Sequence, residues 1–172
     1  MLRALLLSLA LLATPLLAEP LRTLSWQELI PEGAPPPPPP QTFHDLSQLA
    51  DALAAESGPA AVQRSPAAPV VEALDGQRVR IPGYVVTLDL DEAGRVREFL
   101  LVPWFGACIH VPPPPSNQIV HVRTTQELAL DDLWQPFWIE GTLRVAHSSS
   151  ELAEAGYQLQ AERIRPYELP QE

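Results

Sequence analysis

The sequence predicts a mainly β fold, a small five-stranded OB-like barrel that carries an N-terminal arm and one amphipathic helix. From Val70 onward, apolar and polar residues alternate in five short segments, as half-buried strands require. Gly83 marks a bend in the first segment, and a short helical connection is expected between the third and the fourth. Both features are typical of a five-stranded barrel of the OB type.

The first eighteen residues of this 172-residue chain predict a secretory signal peptide. Arg3 supplies a basic start and residues 4–12 an apolar segment, which is too short to span a bilayer. Cleavage is expected near Ala18. No cysteine follows the apolar segment where bacterial lipid attachment needs one, so we expect a periplasmic protein that is not a lipoprotein and has no transmembrane segment.

Residues 19–34 predict an arm that docks on the folded domain. Ser25 can cap a short turn, with Glu28 three residues further on as in a capping box. Trp26 in that turn is expected to fill part of the domain's own core, as large aromatic side chains usually do.

Three further segments separate the arm from the domain. The hexaproline at 35–40 predicts a polyproline II spacer of roughly 19 Å, at about 3.1 Å per residue. Residues 41–57 predict the amphipathic helix, with Thr42 as its N-cap. An Ala- and Pro-rich linker at 58–69 leads to the barrel domain, residues 70–168.

The predicted strands are residues 78–88, 96–102, 119–123, 137–145 and 157–161. A hairpin turn at 91–94 joins the first two. Ile164 breaks the alternation of the last strand, which indicates a bulge near Glu162. Short helical turns are expected within 124–133 and 148–154.

Composition limits the class of partner. The chain has 21 acidic and 11 basic residues and a net charge of −10 at pH 7. Such a field repels phosphate backbones and anionic lipids, which argues against nucleic-acid binding and against a membrane-surface role. The single cysteine cannot form an internal disulfide, so outside the cytoplasm it is buried, a metal ligand or bonded to another molecule.

Cys108 and His110 suggest a metal site. Residues two apart on an extended strand face the same side, so the thiolate and the imidazole would point together. His121 on the following strand would complete three ligands if the two segments pair antiparallel. Sulfur and imidazole nitrogen suit zinc or copper, so the expected metal ligands are Cys108, His110 and His121.

Two other interpretations of these residues remain open. Cys108 can be a small buried residue, with His110 bonded to a backbone carbonyl of the proline turn. Cys108 with a histidine base and Asn117 also has the composition of a cysteine-hydrolase triad.

The four prolines that follow lack N–H donors and cannot form a central strand, so a rigid, exposed loop is expected. One interpretation is a stiff crossover that covers a barrel end. The other is a preformed rim that holds a partner protein, because little entropy is lost when a stiff loop binds. The rim residues would be Trp104, Phe105, Pro112, Pro113, Pro114, Pro115, Asn117 and Gln118.

Residues 83–89 (GYVVTLD) and 98–120 (EFLLVPWFGACIHVPPPPSNQIV) resemble a bacterial family of unknown function, DUF3299, as does the WQELIP element at 26–31. The resemblance implies an exported protein, and members are often encoded beside ABC-type export permeases and small periplasmic proteins linked to metal homeostasis. It implies an accessory or binding protein, a periplasmic partner of an ABC-type transport system that handles a transition metal, rather than an enzyme. The alternatives are a metal-free interaction module that uses the 112–118 loop and a Cys-dependent hydrolase.

Overall fold

The computed structural model describes residues 20–36, 62–105, 107, 112–126, 128 and 133–168. The strands in this part are β1 (Arg22–Thr23), β2 (Arg78–Leu90), β3 (Val96–Val102), β4 (Val120–Thr124), β5 (Phe137–Ser149) and β6 (Glu154–Pro166). Short 3₁₀ helices lie at Trp26–Leu29, Glu72–Leu74 and Ser116–Gln118. No helix in the described part has the length and apolar character needed to cross a membrane. The predicted signal peptide and the predicted helix at 41–57 lie outside the described residues.

Five strands close into a barrel in the order β2-β3-β4-β6-β5, and β5 pairs back with β2. The pairing of β4 with β6 is parallel, and the other barrel pairs are antiparallel. A closed five-stranded barrel with one parallel pair confirms the predicted OB-like class.

The sixth strand, β1, comes from the arm and pairs in parallel with β2. Leu24 and Leu29 of the arm are buried in the core, and Trp26 packs against it. The Trp26 indole N–H donates to the Pro82 carbonyl oxygen at 2.7 Å. The arm therefore covers one side of β2 instead of leaving that strand open.

A local hydrogen-bond pattern shapes the turn that follows β1. The Glu28 carboxylate accepts from the Ser25 backbone N–H at 2.8 Å and from the Ser25 hydroxyl at 3.0 Å. Arg22 donates to the same carboxylate at 2.8 Å. The backbone hydrogen bond from Ser25, together with Arg22, lowers the pKa of Glu28. The carboxylate therefore joins the start of the turn to β1.

Apolar side chains from every barrel strand fill the interior, among them Val79, Ile81, Phe99, Leu101, Val120, Val122, Ile139, Leu143 and Leu159. Tyr157 is fully buried there. Its hydroxyl donates to the Leu29 carbonyl oxygen at 2.8 Å and accepts from the Val71 N–H at 2.7 Å. Burial raises the pKa of Tyr157, so the phenol remains a donor over the physiological pH range. One side chain thus joins the arm, the start of the barrel domain and the last strand.

A second apolar cluster lies on the outer face of the barrel. Its members are Val86, Leu100, Val102, Ala107, Ile119, Ala153 and Ala155. The connections between β3 and β4 and between β5 and β6 contribute to it, so this outer face is partly covered by chain. The covered area adjoins the site described below.

The β5–β6 ladder contains the bulge predicted near Glu162. Glu140 pairs with Arg163 and the next residue, Gly141, pairs with Ala161, so Glu162 has no partner opposite it. The extra residue restores the parity that places Ile164 inside the barrel.

Asp91 organises the β2–β3 hairpin. Its carboxylate accepts hydrogen bonds from the backbone N–H groups of Ala93 and Arg95, at 3.0 and 2.9 Å. The guanidinium groups of Arg95 and Arg97 donate to its second oxygen at 2.8 and 2.7 Å. The backbone hydrogen bond from Arg95 contributes most to a pKa of Asp91 that lies well below the usual range.

The substitution Asp91→Asn is expected to lower the free energy of unfolding in a pH-dependent way. A carboxyl whose pKa is lower in the folded state stabilises the fold above its unfolded pKa of about 3.9, and that contribution is lost as the pH falls further. Urea unfolding at pH 7 and at pH 3 should show a clear deficit at pH 7 that shrinks at pH 3. Glu92→Gln, on the exposed neighbour, is the control. A deficit of equal size at both pH values would contradict the ionic role of Asp91.

Candidate functional site

Polar side chains meet on the outer face of β3 and β4, beside the second apolar cluster. Strand alternation turns Val120 and Val122 into the core and His121 and Arg123 outward. In the antiparallel β3–β4 pair, His121 lies opposite Leu100 and Arg123 opposite Glu98. His121 is nevertheless only 5% exposed, because neighbouring strands and connections enclose it.

Both ring nitrogens of His121 meet polar groups. Nδ1 shares a hydrogen bond with the hydroxyl of Ser148, near the end of β5. Nε2 lies 2.5 Å from Glu98 Oε1, yet it makes no well-aligned hydrogen bond with any described residue. Arg123 donates to the same Glu98 oxygen at 3.0 Å. The carboxylate is therefore shared between an imidazole and a guanidinium.

This geometry can accommodate a metal ion between Nε2 and the carboxylate after a small movement of Glu98. A zinc ion lies about 2.0–2.1 Å from nitrogen and oxygen ligands, so in a tetrahedral site the two atoms would stand roughly 3.3 Å apart. Glu98 would have to move by less than about 1 Å, and its side chain is 28% exposed and has room to do so. Within the described ranges, no group of three His, Cys, Asp or Glu side chains is placed to hold a metal ion.

Cys108 and His110 lie outside the described residues, so their role as ligands stays a prediction. Ala107, directly before Cys108, is fully buried in the outer cluster with Leu100 and Ile119. Leu100 lies opposite His121 in the sheet, and Ile119 precedes His121 by two residues. Ala107 therefore shares a cluster with two residues that lie close to His121 in the sheet.

A groove of about 290 Å³ opens next to His121. Its lining residues are His121, Arg123, Thr142, Arg144, Gln158, Leu159 and Gln160. In the sheet they form two rows across β4, β6 and β5, one of His121, Gln158 and Arg144 and one of Arg123, Gln160 and Thr142. Two guanidinium groups, two amides and a hydroxyl therefore surround the same open space.

The sequence model of DUF3299, described as a protein of unknown function, matches residues 26–166. The chain belongs to the DUF3299 family. A DUF3299 family protein from Pseudomonas aeruginosa PAO1, known from a crystal structure, has 58% sequence identity to this chain, and the two structures superpose with a TM-score of 0.77. The match covers 88% of this chain and 99% of that one. No curated protein matches the chain. The predicted family membership is thus confirmed.

The proline loop of this DUF3299 protein is largely covered, although the sequence predicted an exposed loop. Pro113 and Pro114 are buried, as are Asn117 and Gln118. The Asn117 amide donates to the Pro69 carbonyl oxygen at 2.8 Å, and the Gln118 amide donates to that of Trp26 at 2.9 Å. The two amides satisfy backbone carbonyls of the linker and the arm, which lie over the loop. Their burial counts against a rim at 112–118 that holds a partner.

The two aromatic residues of the predicted rim differ from each other. Phe105 is 63% exposed and meets the ring of Tyr84 edge-on, with centroids 5.8 Å apart. Trp104 is partly buried against the outer apolar cluster. Of the two, Phe105 therefore presents the large apolar surface at this position.

Sequence reasoning missed Glu98 and Ser148 in the DUF3299 site. Glu98 could have been found from the sequence, because antiparallel pairing of the predicted second and third strands brings it near Arg123 and His121. No feature of the sequence indicates Ser148, because its approach to His121 depends on an irregularity in the β5–β6 register between Val145 and Ser148.

Proposed function

We propose that this DUF3299 protein is an exported accessory protein that binds a transition metal, zinc or copper, instead of catalysing a reaction. The proposed centre consists of His121 and Glu98, joined by Cys108 and His110. The observation that carries the proposal is the buried Nε2 of His121, which faces a carboxylate oxygen at 2.5 Å and lacks a well-aligned hydrogen bond within the described part of the chain. Two potential donor atoms therefore already converge.

The surroundings of His121 support a metal ligand. Metal-binding histidines usually place their second ring nitrogen in a hydrogen bond that fixes the ring, and Ser148 provides this at Nδ1. Arg123 holds Glu98 towards the imidazole through its 3.0 Å hydrogen bond. An ion with two positive charges would lie between Nε2 and the carboxylate.

The number of donors favours binding over catalysis. Two imidazoles, a thiolate and a carboxylate would give four protein ligands, and a tetrahedral site with four ligands keeps no open position for a substrate. Such a site stores or passes on an ion. This role suits a periplasmic accessory protein of an ABC-type transport system, the setting expected from the family resemblance and the predicted signal peptide.

Metal titration of chelator-treated protein tests the proposal. We expect one Co(II) or Zn(II) per chain, with the thiolate-to-cobalt absorption band that a cysteine ligand produces. Cys108→Ser should abolish that band, and His121→Gln, which can keep a hydrogen bond to Ser148, should weaken binding by about tenfold or more, as for loss of one ligand.

His147→Gln is the matched control, because His147 also pairs with a glutamate, Glu154, at 3.1 Å but is 59% exposed. It should bind metal as the wild type does. Absence of stoichiometric metal in the wild-type protein would refute the proposal, as would equal losses in His121→Gln and His147→Gln. Thermal unfolding of each apo variant separates lost ligation from lost fold.

A further inference from the structure

The groove beside His121 collects positive charge on an acidic protein. We infer that it binds a small molecule that carries an oxyanion, a carboxylate or a phosphate, between Arg123 and Arg144. The groove shares His121 and Arg123 with the surroundings of the proposed metal centre, but the inference does not need a bound metal, and Arg144, Gln158 and Gln160 lie outside that ligand set.

The strand order places the two arginines on opposite walls of the groove. Arg123 belongs to β4 and Arg144 to β5, and β6 runs between them and carries Gln158 and Gln160. Neighbouring strands lie about 4.8 Å apart, so the two guanidinium groups approach the groove from sides separated by roughly two strand spacings. None of the described residues that line it carries a carboxylate, although the chain as a whole has 21 acidic residues.

The described contacts of both arginines leave donors available for a ligand. A guanidinium has five N–H donors. Arg144 lies 3.7 Å from Asp75 Oδ2, beyond hydrogen-bond distance, and its side chain is 62% exposed. Arg123 donates to Glu98 through Nη2 and is 58% exposed. By contrast, Arg78 directs both Nε and Nη2 to Glu162 Oε2, each at 2.9 Å.

The floor of the groove adds neutral donors. The Gln158 and Gln160 amides each make one long hydrogen bond, at 3.3 Å, to the carbonyl oxygens of His147 and Arg123. An amide nitrogen carries two hydrogens, so each has a second N–H to offer. Together with the hydroxyl of Thr142, which lies opposite Gln160 on β5, these groups would bind the oxygens that the arginines do not reach.

Charge and size together limit the ligand. A volume of about 290 Å³ is at the lower end of ligand pockets, which suits a small molecule. Arginine recognises carboxylate and phosphate alike, because two parallel N–H donors match two oxygens of either group. The overall charge of −10 repels extended polyanions and anionic membranes, whereas a small anion needs only the two guanidinium groups, which it would share with Glu98 and Asp75.

Amide NMR titrations of the metal-free protein at low ionic strength test this inference, with succinate, citrate and inorganic phosphate as probes. We expect saturable shifts centred on Gln158, Leu159 and Gln160. Arg144→Gln and Arg123→Gln should each weaken binding about tenfold or more, as for loss of a charge-assisted hydrogen-bond pair. Arg64→Gln, the same change at an exposed position outside the lining, should leave affinity unchanged.

The probes also distinguish the source of the oxyanion. Saturation by succinate or citrate but not by phosphate would identify a carboxylate ligand. Saturation by phosphate alone would identify a phosphate ligand. Either result supports the inference that the groove binds an oxyanion. Binding that survives Arg144→Gln and Arg123→Gln, or that falls equally in Arg64→Gln, would overturn the inference. If none of the three probes gave saturable shifts, the inference would also be overturned. Because the protein is freed of metal and then of chelator before the titration, failure of the metal proposal does not change this result.

Discussion

Gly141→Ala should leave the barrel unfolded or close to unfolding. A Cβ at this position would lie 2.1 Å from the Gln160 carbonyl oxygen and 2.9 Å from Leu159 Cδ2. The first of these atoms is backbone, so no rotamer change relieves the clash and β6 itself must move. Extra methylenes packed against side chains cost about 1–3 kcal/mol. Against backbone we expect about 3 kcal/mol or more, a large part of the ~5–15 kcal/mol that holds a domain together.

Urea unfolding followed by far-UV circular dichroism would measure this loss. Gly94→Ala is the control, because Gly94 has a φ of +74° but no atom of a described residue lies within 4 Å of the place that a Cβ would take. That variant should lose only the backbone cost of a left-handed residue, about 1–2 kcal/mol. Equal stability of the two variants would contradict the close approach of the β5 and β6 backbones at Gly141, next to the Glu162 bulge.

Tyr157→Phe should detach the N-terminal arm and destabilise the whole domain. The change removes one hydroxyl and leaves the Leu29 carbonyl and the Val71 N–H without their partner. Each buried polar group left unpaired costs about 1–3 kcal/mol, so we expect a total of about 2–4 kcal/mol. Since the raised pKa keeps the phenol protonated, the loss should be the same from about pH 6 to about pH 9.

Hydrogen exchange identifies where the Tyr157→Phe variant opens. The backbone amides of residues 24–30 should exchange faster than those of the barrel strands. Tyr84→Phe is the control, because its hydroxyl makes no hydrogen bond with any described residue, and we expect a change below about 0.5 kcal/mol. Uniform acceleration throughout the barrel, with no excess in the arm, would show that Tyr157 fills the core without anchoring the arm.

The strands of the barrel could be predicted because period-two alternation records which face of each strand is buried. The break at Ile164 even indicated the bulge at Glu162, since one extra residue reverses the parity. Burial of the proline loop could not be predicted, because it depends on a linker without any apolar period. Gln63 of that linker donates to the carbonyl oxygens of Pro114 and Glu154, at 2.7 and 2.9 Å.

The candidate site was only partly accessible from the sequence. His121 could be selected as a candidate ligand because the chain has only four histidines and His121 lies on the predicted strand that follows Cys108 and His110. The groove could not be predicted, because Arg123 and Arg144 become neighbours only through the parallel β4–β6 pairing. Two parallel strands are joined by a long connection, so no turn sequence between them indicates that they pair.

The hydrogen bond between Tyr157 and Leu29 also constrains how the chain can be made. It joins residues 128 positions apart, so this contact of the arm, unlike its pairing with β2, forms only after the last strand has been synthesised. Contacts of such long range form slowly. A nascent chain that still lacks β6 cannot close the barrel, because β6 pairs with both β4 and β5. Completion of the C-terminal strand is therefore the step that lets the barrel close and the arm gain its Tyr157 contact.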